Sequence, residues 1–515
     1  MDREREILAA SLGDKGGGMA TRADETGRGA GEIGLERRAV GLPTAIGTTF
    51  GLIVATTVMV SVGQGFAASW IFLVALAIGL LAMYLQAMSF AELATMIPKA
   101  GSMNEYVRAG LGPFFATVAV LVGYVAIMLF PTSAEAFLPS VIISDPAFLG
   151  ADFFDAKVWA VILVTFVALL NIAGVRPYGA VEVLLTGLVA TSLLILGLIG
   201  VFGLGTNDPV GGVFPAIDFS WDLLLALLGL AIFTFVGMEY TCPLAEELRN
   251  PGRDIPLGIF LGLTLVAVPV ALYGLAAARY VPADELGDPA QITNMNVAIA
   301  ILGDTGKWWM GLVAIAATLS TLNALLAGIP RILYGMAQTR QLPSFFGYLL
   351  PATRAPVVGI AVMALAPILM NVFGVTDDTT FIELILAGVL GWATAYVLIH
   401  VSVIILRMRN PDARRPFRSP LFPLPQLLGI VLLAVAAWKI FPDPAIKENI
   451  YRDYGIFLAV AVVVAFVYNA ISYRSVTRQF RPVPLDEVYR ETAAMDDAAI
   501  VAAEPGSPPL RHDKS

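Results

Sequence analysis

Glu239 stands in the run FTFVGMEYTCPLAEE, Phe233 to Glu247, directly behind an apolar stretch that begins at Trp221. A carboxylate at bilayer depth is costly unless a partner or water meets it. Two chemistries suit such a residue, holding a cationic group or carrying a coupled proton; the competing role is a satisfied tie between helices. Glu135, in FPTSAEAF, is a second acid in apolar surroundings. It either attracts an ammonium group in an outer vestibule or sits solvated near the interface. Around Glu239 a helix is interrupted: Phe235, Val236 and Gly237 precede it, and Pro243 removes a further backbone donor. A second interruption is expected in ATTVMVSVGQGFA, Ala55 to Ala67, where β-branched and hydroxyl residues run into Gly63 and Gly65. In hydrocarbon every backbone group must be paired, so breaks are tolerated only where backbone is buried in protein or lines a cavity. Glycines that merely let helices pack closely are the competing account of Gly63 and Gly65.

Residue supply excludes other chemistry. Cys242 is the only cysteine, and His400 and His512 are the only histidines. That rules out an intrachain disulfide and a site of several thiolates, and leaves too few histidines for zinc or haem. No His-Glu-x-x-His motif and no histidine beside a serine occurs, so an embedded enzyme is not expected, nor a cofactor or metal. His400, near the end of an apolar segment, suits a hydrogen-bonded structural role.

These residues need apolar helices to hold them. The chain is 57% hydrophobic and 14% charged, with a mean hydropathy of +0.78, which is the composition of an integral membrane protein. A hydrocarbon core of ~30 Å needs ~20 apolar residues per helix. Twelve such segments begin near Leu42, Trp70, Pro113, Val158, Tyr178, Asp222, Ile255, Trp308, Ala355, Phe381, Leu424 and Tyr454. They are continuous rather than alternating runs, which excludes a β-barrel. Arg and Lys crowd alternate loops, from Lys99 and Arg108 through Arg249 and Arg253 to the series Arg407 to Arg418, while Asp145, Asp155, Asp284 and Asp288 fall on the other side. The positive-inside rule then puts both termini in the cytoplasm, so a multi-pass plasma-membrane protein is expected.

The interruptions at Gly63 and Gly237 lie about 175 residues apart, room for five helices of about 35 residues each, and equivalent breaks in two halves point to a transporter built from inverted repeats. The expected organisation is a polar, disordered tail over 1–40, a first repeat over 41–205, a second over 206–408, two further helices over 409–473, and a second disordered tail over 474–515. A short amphipathic helix from Leu485 to Val501 is possible within that tail. Between Arg279 and Lys307, ITNMNVAIAILG has the spacing of a short helix across the outer face, either a lid or a packed loop.

Several segments together resemble the amino acid/polyamine/organocation permeases: SFAELATMIPKAGSMNEYVRAGLGPF, NIAGVRPYGAVE, FVGMEYTCPLAEELRNPGRDIP, LSTLNALLAGIPRILYGMAQTRQLP and RPFRSPLFPLPQLLGI, in order from Leu42 to Tyr473. The resemblance implies an all-α membrane fold of twelve helices, a 5+5 inverted repeat of the LeuT-like type with helices 1 and 6 broken, plus two C-terminal helices. It implies alternating-access transport of amino acids, proton-coupled, with an amine or polyamine carrier or an exchanger as the alternative.

It further implies that the substrate carboxylate meets free amides of the broken first helix and its ammonium meets carbonyls near the second break, where half-helix ends carry opposite partial charge. The substrate-binding residues that follow are Thr56, Thr57, Val60, Ser61, Val62 and Gly63 on helix 1, and Phe233, Phe235, Val236, Gly237 and Glu239 on helix 6. In place of the family's Gly-Ser-Gly break the chain has Val60-Ser61-Val62. Phe233 matches an aromatic gate position, and Glu239 and Glu135 are the proton-coupling candidates. Ser320 and Thr321 match a sodium-coordinating pair, or serve as packing hydroxyls. Helix 5 has no lysine to stand in for a cation, and Pro330 and Arg331 suit an inner gate. The expected partners are the small-molecule substrate, membrane lipid and H+ or Na+; no nucleic acid is expected.

Overall fold

The computed structural model describes residues 34–129, 131–288, 291–373, 378–440 and 444–491, the side chains of 378–382 excepted. Leu35–Leu485 form one compact unit. Its helices are α1 (Leu42–Ile53), α2 (Thr56–Gly65), α3 (Ser69–Met96), α4 (Pro113–Ser144), α5 (Ala156–Ile172), α6 (Val175–Phe202), α7 (Trp221–Phe233), α8 (Pro251–Tyr280), α9 (Thr293–Gln338), α10 (Val357–Phe373), α11 (Asp378–Arg409), α12 (Leu424–Trp438) and α13 (Pro444–Ser472). No strand occurs among the described residues. Among the described residues eight spans are long and apolar enough to cross a membrane: Thr56–Met96, which joins α2 and α3, Trp221–Leu244, which extends α7 through the segment after it, and α4, α6, α8, α9, α11 and α13; α1, α5, α10 and α12 are shorter apolar helices.

Layering follows from burial. The most apolar window of α9 is 83% buried and that of α13 only 17%, so α9 runs through the centre of the bundle and α13 along its rim. Around α9 pack α1, α2, α4, α5, α6 and α10. Small residues allow the close approaches: a methyl group at Gly51 of α1 would collide with Ser320 of α9 and Glu182 of α6.

The first helix breaks earlier than its glycines suggested. α1 ends at Ile53; Val54 (φ −92°, ψ 58°) and Ala55 (φ −70°, ψ 156°) leave the helical region, and α2 then runs unbroken through Val60, Ser61, Val62 and Gly63 to Gly65. Gly63 and Gly65 serve packing, against Thr293 and Phe72. The second break falls where expected. α7 stops at Phe233, Gly237 takes φ +107°, and a tight 3₁₀ segment follows over Met238–Leu244. Gly237 also abuts Leu52, so a side chain there meets both backbone strain and a neighbour.

The segments flanking the bundle are packed where free tails were expected. Leu35 is buried with Ala100, Tyr334 and Leu349. Val40 N–H donates to Glu247 O (3.1 Å) and Arg249 N–H donates to Val40 O (2.9 Å), strapping the chain before α1 to the segment after the second break. At the other end Val483 N–H donates to Arg108 O (3.1 Å), and Phe480 packs on Phe114. Residues 485–491 are helical, while the rest of the suggested amphipathic helix lies outside the described residues. The arm over Thr293 to Leu302 is the first part of α9, set off from the rest by a non-helical Gly303, and its Thr293, Asn294, Met295 and Val297 are buried.

Candidate substrate site at the helix breaks

The two interruptions face each other. Thr49 of α1 donates to Met238 O (3.1 Å) and pairs with the Thr241 hydroxyl (3.0 Å), and Thr241 donates to Ala45 O (2.7 Å). These contacts fix Met238–Leu244 against α1.

Extended Ala55 leaves the first amides of α2 without intrahelical partners, a positive helix end pointing into the bundle. They meet Glu135 of α4. Thr56 N–H donates to Oε1 at 2.9 Å and Thr57 N–H to Oε2 at 3.0 Å; the Thr57 hydroxyl donates to Oε2 at 2.8 Å and the Thr318 hydroxyl to Oε1 at 2.6 Å. The Thr56 hydroxyl turns away to Ala314 O (2.8 Å). Glu135 is 2% exposed. The amides expected to read a substrate carboxylate therefore hold an internal one.

Glu239 follows the second break and is 1% exposed. Tyr124 of α4 donates to its Oε1 (3.1 Å) and Tyr396 of α11 to its Oε2 (2.6 Å). Gly237 N–H donates to the same Tyr396 hydroxyl (3.3 Å), so one phenol joins the left-handed glycine to the carboxylate. Phe233, Phe235 and Val236 are buried at the break. On α2, Thr57, Val60, Ser61 and Gln64 fall at helical spacing and are the part-exposed positions, opposite buried Val58, Met59, Val62 and Gly63. The structure thus gathers Thr56, Thr57 and Glu135 at the first break and Phe233 to Glu239 at the second. Val60 and Ser61 sit about one turn further along α2.

The proposed ion pair of hydroxyls splits its partners. Thr321 donates to Gly51 O (2.9 Å), a carbonyl of α1, whereas Ser320 donates to Glu182 Oε1 (2.7 Å). Glu182, fully buried on α6, also accepts from Asn323 Nδ2 (2.7 Å). Sequence reasoning passed over Glu182. Its signal was the one that singled out Glu239: an acid inside an apolar run, PYGAVEVLL.

Among the described residues no cationic side chain pairs with Glu135, Glu182 or Glu239. Three other buried acids of the bundle do take a cation: Glu247 a bidentate Arg331, Glu92 both Arg407 and Arg415, and Glu105 Arg108. His400 is buried with Nδ1 2.9 Å from the Ser89 hydroxyl.

A sequence model described as amino acid permease matches residues 40–467. The chain belongs to the amino acid permease family. The permease is 27% identical over 400 residues to cationic amino acid transporter 4, vacuolar, of Arabidopsis thaliana, covering 73% of this chain and 62% of that protein, less than two thirds of its length. It is 25% identical over 355 residues to the serine/threonine exchanger SteT of Bacillus subtilis, covering 67% and 76%. Its fold is similar to that of a nucleobase-cation-symport-1 family transporter in a closed conformation with bromovinylhydantoin bound (TM-score 0.53, 16% identity, 90% of this chain and 99% of that one), a transporter of the LeuT-like fold. The family and these relatives are membrane transporters rather than enzymes.

Proposed function

We propose that the permease is a secondary transporter of small solutes bearing a protonated amino group, amino acids being the class its relatives suggest. The observation that carries this is the apposition of two mid-helix interruptions, with a buried carboxylate beside one of them that accepts from two phenolic hydroxyls and pairs with no described cation. Glu239 is a group suited either to an ammonium or to a coupled proton, and paired helix breaks are where transporters of inverted-repeat build hold a polar solute in hydrocarbon. In this reading α1 and α2 together, α5, α10 and α12 also cross the membrane. That makes twelve spans, a 5+5 repeat over α1 to α11 and two added helices, with alternating access and both termini cytoplasmic in the plasma membrane. Glu239 and Glu182, acids without cationic partners, favour protons as the coupling ion.

Reconstitution into liposomes tests the reading. Saturable uptake of a labelled amino acid or amine, accelerated by unlabelled solute inside, is expected; the absence of both uptake and counterflow across the panel, under pH and sodium gradients alike, would sink it.

A further inference from the structure

The geometry points to a substrate class for this site: amines whose charged nitrogen is recognised and which carry no free carboxylate, because Glu135 already fills the anion cradle at the head of α2. The inference rests on the proposed transport function and narrows it.

A carboxylate offers about four lone-pair positions. Those of Glu135 are met by two amides and two hydroxyls, all within 3.0 Å: Thr56 N–H, Thr57 N–H, the Thr57 hydroxyl and the Thr318 hydroxyl. The cradle is also braced from outside the break. Asn371 of α10 donates to Ser133 O (3.2 Å), which ties α4 to α10 two residues before the carboxylate. A substrate carboxylate would have to expel Glu135 from four donors and then sit beside the expelled charge, and like charges in contact are strongly disfavoured.

Two further buried acids agree in sign. Glu239 and Glu182 pair with no described cation, so the unpaired acids buried in this part of the bundle suit a cationic solute and oppose an anionic group. Glu239, which accepts from the Tyr124 and Tyr396 hydroxyls and has no cationic partner among the described residues, is the acceptor for the ammonium. Glu135 is thus a specificity-determining residue that works by occupying the carboxylate's place.

The test measures binding to the purified full-length protein by thermal shift, and transport by counterflow, for each common amino acid alongside its methyl ester and its decarboxylated amine; serine, serine methyl ester and ethanolamine form one such trio. Wild type is expected to bind ester and amine alike, and each at least about tenfold tighter than the parent acid, the factor for losing one hydrogen bond to a charged group. Glu135→Ala is expected to raise affinity for the parent acid toward that of its ester. The ester series needs no mutation, so it decides the matter even if the variant fails to fold. A parent acid that binds wild type as well as its ester and amine overturns this inference while leaving the transport reading intact. Preference for ester and amine that Glu135→Ala leaves unchanged overturns the role of Glu135. If no compound in any trio binds or is exchanged, the transport reading itself fails.

Discussion

The Arg331–Glu247 pair offers a quantitative test of how the bundle closes at its proposed cytoplasmic end. Arg331 sits on α9 and Glu247 just beyond the second break; their side chains are 3% and 2% exposed, and both nitrogens Nε and Nη2 engage the carboxylate. Arg331 Nη1 also donates to Ala327 O at 2.6 Å. At this burial solvent screening removes little of the interaction, and removing one partner of a buried pair costs about 3–5 kcal/mol because the other charge is left unpaired. If the pair ruptures when the end opens, Arg331→Met withdraws most of that sum from the closed state alone, and about 3 kcal/mol is on the order of a hundredfold in the open population.

Cys242, the only cysteine and fully buried, lies in the segment that would become accessible and needs no engineering as a reporter. Its rate of modification by a water-soluble maleimide should rise by about that factor in Arg331→Met. In the double variant Glu247→Leu/Arg331→Met, the rate should fall back toward wild type, since apolar replacements of a buried pair are often neutral. A maleimide rate unchanged in Arg331→Met, with a lowered melting temperature, would refute the gating argument and leave the pair a purely structural tie.

Three other outcomes are expected. Glu239→Gln should fold, keeping one phenol contact, but lose proton-driven accumulation by at least about tenfold, the scale of a charge-assisted hydrogen bond; unchanged accumulation in the same liposomes would remove Glu239 from the coupling path. Gly237→Ala puts a side chain at φ +107° and against Leu52, so it should lower stability by about 1–3 kcal/mol or more, read by thermal unfolding. Glu246, beyond the second break, has its carboxyl pushed above the usual range chiefly by burial, against the opposing Ala100 N–H. The folded protein then binds more protons than the unfolded one in that interval, so stability contributed here declines as pH rises through and just above the usual carboxylate range. Glu246→Gln should flatten that decline, measured as melting temperature against pH.

The second helix break was legible from residue type alone. Glu239, Gly237 and Pro243 announce a break because an acid, a glycine and a proline each violate what an apolar helix needs, and the structure interrupts the helix there. Thr56 and Thr57 were found for the hydroxyls they carry, yet the working groups at Thr56 and Thr57 include main-chain amides, which every residue has. The first break was misplaced toward Gly63 because glycines draw attention; Val54 and Ala55, where the helix stops, have no side-chain signature for it. Glu182 escaped notice because Pro177 and Gly179 before it fall in the first turns of α6 and leave that helix unbroken, so the acid coincides with no interruption.

Hydropathy and the spacing of breakers, both properties of contiguous residues, determined that this chain is a bundle of membrane helices with paired interruptions, because lipid leaves the backbone no partner but its own helix. Which carboxylate meets which amide was decided only in three dimensions. Glu135 lies 79 positions from Thr56, and their contact depends on how α4 packs against α2 and α9. Hydrogen bonds join whatever atoms the packing brings within about 3 Å, and sequence separation does not enter that condition.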